Sequence, residues 1–193
     1  MVRRFLVALT FVTLAAAQDG WINLFDGKTL NGWEARPTSV PDNKGDWSVK
    51  NGALVCGGTV PSWIGTNDSF SDYRLTLEFR GAEKVNSGVF LRSQKEGQPH
   101  VTGYELQIWD YQPAGYNTGS LVGSLKAEPV KIRPNEWNKY DVTAKGDRFT
   151  VVLNGKTVLN ASDPKHSAGV IGFQCQKDQG IEFRNIKLQP LKK

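Results

Sequence analysis

The side chains with the clearest chemical potential lie in Tyr104-Glu105-Leu106-Gln107-Ile108-Trp109-Asp110. Successive residues of a strand point to opposite faces, so Tyr104, Leu106 and Ile108 share one side and Glu105, Gln107 and Trp109 the other. The second side combines a carboxylate, an amide and a large aromatic. A carboxylate moves protons, an amide pairs with neighbouring hydroxyls, and an indole lies against the apolar side of a pyranose ring. That set suits a sugar. The plainer reading, a half-buried strand with a polar outer face, stands beside it.

Two further stretches carry the same mixed outer side. In Ser87–Arg92, Val89 and Leu91 take one face and Gly88, Phe90 and Arg92 the other. In Gly169–Gln176, Gly172, Gln174 and Gln176 lie opposite the apolar positions. A merely solvated face favours Lys, Glu, Ser and Thr. This one gathers arginine, glutamate, three glutamines and two aromatics, with glycine where a ligand could approach the backbone. The reading requires the three strands to be neighbours, which spacing alone does not establish.

Other chemistry is thinly represented. There is no Gly-x-Ser-x-Gly elbow and no phosphate-binding glycine loop. Glu105 and Asp110 would be a carboxylate pair for glycoside hydrolysis, but their opposite phase argues against a shared face. His100 and His166 both fall in polar loops and are expected to be solvated; His100, near the central stretch, is kept as a candidate contact. Cys56 and Cys175 lie on the apolar phase of their strands, where a disulfide and buried free thiols are both admissible. Two cysteines and two distant histidines make no zinc signature, and no metal ligand is assigned.

The elements that must position these residues are short and numerous. Trp47–Lys50, Asn51-Gly52 and Ala53–Cys56 form a hairpin pattern with a type I′ turn, as do Phe149–Leu153, Asn154-Gly155 and Lys156–Leu159. Residues 73–80 alternate, with Tyr73, Leu75, Leu77 and Phe79 inward. Strands are also expected over 87–92, 104–110, 136–143, 169–176 and 181–188, and a short strand or turn over 62–66. Residues 34–46, 93–102 and 111–127 are expected to be loops, the last long enough to be functional. No stretch holds helical periodicity over three turns. About ten strands indicate an all-β sandwich or barrel.

The chain has 193 residues, enough for one domain with a sizeable core. Arg3 and Arg4, the apolar run from Phe5 to Ala17 and the small residues Ala15-Ala16-Ala17 have the form of a secretory signal peptide over 1–17, leaving a single domain over 18–193. The formal charge of +5 falls by two, to +3, when Arg3 and Arg4 leave with the signal. So mild a balance, with no basic cluster beyond Lys192-Lys193, points away from nucleic acid. No later apolar run would cross a bilayer, so stable membrane association is not expected. The expected location is periplasmic or extracellular.

Asn86-Ser87-Gly88-Val89-Phe90-Leu91-Arg92, Tyr104-Glu105-Leu106-Gln107-Ile108, Gly169-Val170-Ile171-Gly172-Phe173-Gln174, Phe183-Arg184-Asn185-Ile186-Lys187-Leu188 and the opening Leu24-Phe25-Asp26-Gly27-Lys28-Thr29-Leu30-Asn31-Gly32-Trp33 together resemble the 3-keto-disaccharide hydrolase domain family. The similarity runs from about Trp21 to Leu191. It implies a concanavalin A-like jelly-roll sandwich of two curved antiparallel sheets, with a carbohydrate site on the concave sheet. It also implies cleavage of glycosides oxidised at C3, where the ketone acidifies the C2 proton and elimination followed by water addition gives net hydrolysis. The catalytic roles then fall to Glu105 as base and Arg92 as enolate stabiliser. Substrate contacts fall to Gln107, Trp109, Phe90, Gln174 and Gln176, with Asp110 and His100 beside them. The chain departs from the family's Gln-Asp-His-Gly at Gln174-Cys175-Gln176-Lys177, placing Gln176 where the histidine would stand; glutamine cannot accept a proton. No cofactor is predicted, a divalent metal is left open, and oligomeric state is unassigned. The alternative function is a non-catalytic, lectin-like carbohydrate-binding module.

Overall fold

The computed structural model describes residues 20–38 and 40–192; the expected signal peptide lies outside them. The strands are β1 (Ile22–Asn23), β2 (Trp33–Pro37), β3 (Trp47–Lys50), β4 (Ala53–Cys56), β5 (Ser62–Thr66), β6 (Tyr73–Gly81), β7 (Ser87–Ser93), β8 (Tyr104–Ile108), β9 (Asn138–Lys145), β10 (Arg148–Leu153), β11 (Lys156–Ser162), β12 (Val170–Cys175) and β13 (Ile181–Pro190), with one helical turn, α1 (Pro99–Thr102). They form two antiparallel sheets. The larger runs β11-β10-β9-β6-β13-β4-β3, with β1 added on β13; the smaller runs β2-β5-β12-β7-β8. This is the all-β sandwich the alternation predicts.

The strand phases explain the layering. Tyr73, Leu75, Leu77 and Phe79 of β6 are wholly buried, as are Val89 and Leu91 of β7, Leu106 and Ile108 of β8, and Ile171 and Phe173 of β12. Each such side chain contributes about 1.5–3 kcal/mol by leaving water. Trp33, Phe173 and Phe183 stack in sequence across the interior, with ring centroids 5.2 and 4.1 Å apart. Asn51-Gly52 and Asn154-Gly155 both take the left-handed conformation that a type I′ turn demands, at φ 52° and 78°, and 50° and 86°.

The late strands do not join at the edges. β12 inserts between β5 and β7, and β13 between β6 and β4. The Cys56–Cys175 disulfide links β4 to β12 across the sandwich, with the Cα atoms 6.0 Å apart. The open choice between pairing and free thiols is thus decided for pairing.

Two expected loops contain structure. Within 34–46, residues 33–37 form β2, an edge strand of the smaller sheet, where Pro37 is tolerated because the outer side needs no ladder donor. Within 93–102, residues 99–102 close one helical turn. The segment after β8 also folds back along that strand: Gly119 and Val122 donate backbone N–H groups to Gln107 O and Glu105 O, and Gln107 N donates to Ser120 O, at 2.9–3.0 Å. The strand carrying Glu105 is therefore paired on both sides, and its side chains are held in fixed register.

Candidate functional site

The three strands with mixed outer sides are neighbours, in the order β12-β7-β8. Their registers align two rows across the outer face of the smaller sheet. One row passes through Arg36, Trp63, Gln174, Gly88 and Gln107; the other through Glu34, Gly65, Gly172, Phe90 and Glu105. Glycine sits where large side chains must lie flat. A methyl group at Gly172 would come within 3.0 Å of the Trp63 ring, and one at Gly65 within 2.6 Å. A methyl at Gly88 would meet Glu105 Cγ and Oε1 at 2.8 Å. Gly88 is thus the space that the Glu105 side chain occupies.

Glu105 is 7% exposed. Its Oε1 accepts a 2.8 Å hydrogen bond from Gln174 Nε2, which crosses β7 over Gly88. Burial pushes the carboxyl up to about 7, against the lowering effect of that single bond. Oε2 accepts no hydrogen bond among the described residues. The result is a held carboxylate with one free oxygen and the affinity for protons expected of a general base near neutrality. Gln174 Oε1 is buried and has no donor, an acceptor waiting for a partner. Gln107 is buried, and its Oε1 accepts from Ile108 N, leaving Nε2 without an acceptor among the described residues. Phe90 meets Trp63 edge-on at 5.8 Å, and Arg36 lies 4.9 Å over the other side of that indole. Trp63, at 1% exposure, and Arg36 were not singled out in the sequence. Ser62–Thr66 is a short run buried on both sides, so period two alone does not say which phase faces the site.

Not every candidate reaches the platform. Arg92 does not. Its φ of 55° and a register shift between β12 and β7 at Val170/Gly172 break the alternation. Its guanidinium instead lies 5.2 Å over Phe149. It donates to Ser71 O, Gly146 O, His166 O and Asp72 Oδ1 at 2.7–3.2 Å, tying three loops together. With its donors so committed, it is not placed to stabilise an enolate beside Glu105. Asp110 is bound to Thr118 Oγ1 and Ile132 N and clamps the loop after β8. Trp109 lies half-buried beyond the strand end, and Gln176 half-buried in the turn that Gln176 and Gln179 close. His100 is exposed on α1, with no hydrogen bond to Glu105.

His166 is not the solvated histidine its loop suggests. Its backbone N–H donates to Tyr104 Oη at 2.9 Å, its ring stands edge-on to Tyr104, and its Nε2 is buried without a partner. Burial, and then Lys165, lower its pKa.

The donors near Glu105 are amides, which do not fit a divalent cation that needs several carboxylate or imidazole ligands. Among the described residues, Asp46, Cys56 and Cys175 are close enough together to hold a metal, but both sulfurs are consumed by the disulfide. No helix of the described residues is long and apolar enough to cross a membrane.

Comparison with known proteins bears on the family and the fold. Residues 20–189 match the 3-keto-alpha-glucoside-1,2-lyase-like domain. A 3-keto-disaccharide hydrolase of Bacteroides thetaiotaomicron is 25% identical over 63% of this chain and 51% of its own length, so the chain spans about half of that relative. Among solved structures, two candidate glycosyl hydrolases of Parabacteroides distasonis superpose with TM-scores of 0.75 and 0.73, at 22% and 27% identity. They cover 90% and 89% of this chain and 94% and 99% of theirs. The carbohydrate binding module CBM66 of Bacillus subtilis shares the fold at TM-score 0.63 and 19% identity, over 81% of this chain and 94% of its own.

Proposed function

The chain belongs to the 3-keto-alpha-glucoside-1,2-lyase-like domain family, and from that premise we propose that it cleaves 3-keto-glucosides or related sugars, with Glu105 as the base. The supporting observation is a single one: a buried carboxylate, held by one amide, with a free oxygen and a pKa near 7. A C3 ketone acidifies the C2 proton. Glu105 Oε2 takes that proton, the electron pair passes into the C1–C2 bond as the C1–O bond breaks, and water then adds across the new double bond. The departing oxygen takes up a proton, and the two steps sum to hydrolysis.

The developing enolate oxygen needs a donor. Gln107 Nε2, unengaged, fills the part that Arg92 cannot. Gln174 Oε1 accepts a sugar hydroxyl. The enzyme acts outside the cytoplasm, a reading supported by the signal-like start and the inter-sheet disulfide.

Release of aglycone from a 3-keto-glucoside, with and without a chelator, tests this. The base must be ionised, so kcat/KM should rise as pH increases through about 7. Glu105→Gln should lose roughly 100-fold or more. Undiminished turnover in folded Glu105→Gln would remove the proposal.

A second reading, sugar binding without cleavage, is favoured by Gln176 in the histidine position and by the absence of another titratable group hydrogen-bonded to Glu105 among the described residues. Protection by the sugar without product would select it.

A further inference from the structure

The outer face of the larger sheet holds a built depression, independent of Glu105. Thr76 is its floor. Register places Asn23, Lys187, Thr76 and Asp141 in one row across β1, β13, β6 and β9, about 14 Å from end to end at the usual strand spacing. Along β6, the short Thr76 lies between Arg74 and Glu78, and the difference in side-chain length opens a cleft of about 630 Å³. Asn23, Asn185 and Lys187 also line an adjoining cleft of about 400 Å³. Both volumes fall within the range of roughly 300–1,000 Å³ typical of ligand sites. Asn185 sits at φ 52° in the interruption of the β13 ladder between Arg184 and Lys187, the kind of strand irregularity that re-aims a side chain.

The lining has three chemical parts. Trp21 supplies an aromatic wall, standing 5.7 Å from the Arg74 guanidinium. Asn23 and Asn185 supply amides. The charges are unbalanced: Arg74 is doubly bonded to Asp141 at 2.8 and 2.6 Å, and Glu78 accepts from Arg184 at 2.7 Å. Lys139 and Lys187 line the same cleft, and neither has a carboxylate partner among the described residues.

We propose that this cleft binds an acidic saccharide: the Trp21 indole takes the apolar side of a ring, the Asn23 and Asn185 amides take hydroxyls, and Lys139 and Lys187 take a uronate carboxylate. The site lies on the sheet opposite Glu105, so its occupancy does not depend on cleavage.

Calorimetric titration of the full chain with hexagalacturonate, its methyl ester and cellohexaose tests the assignment. Hexagalacturonate should bind most tightly, with affinity falling at least fivefold between 20 and 200 mM salt. Lys139→Gln/Lys187→Gln, a surface change, should weaken hexagalacturonate about tenfold and leave the methyl ester unchanged. Trp21→Ala should weaken both, and Glu105→Gln neither. The proposal is overturned if hexagalacturonate does not bind, if the methyl ester or cellohexaose binds equally well, if the lysine substitutions have no effect, or if Glu105→Gln abolishes binding.

Discussion

Glu105→Gln should stabilise the protein while removing the proposed base, and the gain should depend on pH. Burial raises the carboxyl from 4.5 to about 7 in the folded chain. The folded state therefore holds this proton more tightly than the unfolded state does. As pH rises from about 4.5 to about 7, the unfolded chain releases the proton first, and stability is lost through that window. Above the folded value the penalty is complete. At 1.36 kcal/mol per unit, it reaches about 3 kcal/mol. Glutamine carries no charge, fills the space over Gly88, and keeps an oxygen to accept from Gln174. Urea unfolding, followed by tryptophan fluorescence with the disulfide intact, should give near-equal midpoints for the two proteins at pH 4. At pH 8 the variant should be more stable by about 2–3 kcal/mol, a midpoint shift of roughly 1 M. A difference that does not change with pH, or a variant less stable than the parent at pH 8, would refute the reasoning.

Gly88→Ala places a methyl 2.8 Å from Glu105 Cγ and Oε1. It should cost about 1–3 kcal/mol in thermal unfolding and at least tenfold in turnover, because Glu105 must move. Arg92→Met removes a wholly buried cation from three carbonyls and Asp72. The loss should be about 3–5 kcal/mol in denaturant unfolding, with little change in the pH dependence of whatever activity the folded fraction retains. Reducing Cys56–Cys175, which closes a separation of 119 residues, should lower stability by up to about 4–5 kcal/mol, measured by melting with and without reductant.

Most of the fold was legible because period-two burial is a strong signal. Tyr73–Arg80 and the two Asn-Gly hairpins needed only local pattern. β2 was not legible: its proline and polar composition look like loop, and its edge position, which makes Pro37 acceptable, is a property of the sheet. At the site, the faces of Glu105, Gln107 and Gln174 followed from phase, and the structure supplied their adjacency. Arg92 was misplaced because phase counting assumes an unbroken strand, and a single left-handed residue reverses it. Trp63 was missed because Ser62–Thr66 is buried on both sides and shows little alternation. The burial of His166 depends on Arg92 and Tyr104, residues 74 and 62 positions away in sequence, and no local window contains them.

The insertion of β12 and β13 into the middle of the two sheets has a consequence for how the protein comes into being. Until residues beyond 170 are present, β5 and β7 have no strand between them, and neither do β4 and β6. Gln174, which holds Glu105 from 69 positions away, arrives with the strand that closes the smaller sheet. Pairings this distant form slowly, since chain closure precedes any contact energy. The hairpins β3–β4 and β9–β10–β11 can pair locally, but neither sheet closes until the last two strands are in place. The Glu105–Gln174 contact forms only with the last strands, and a chain lacking them does not carry it.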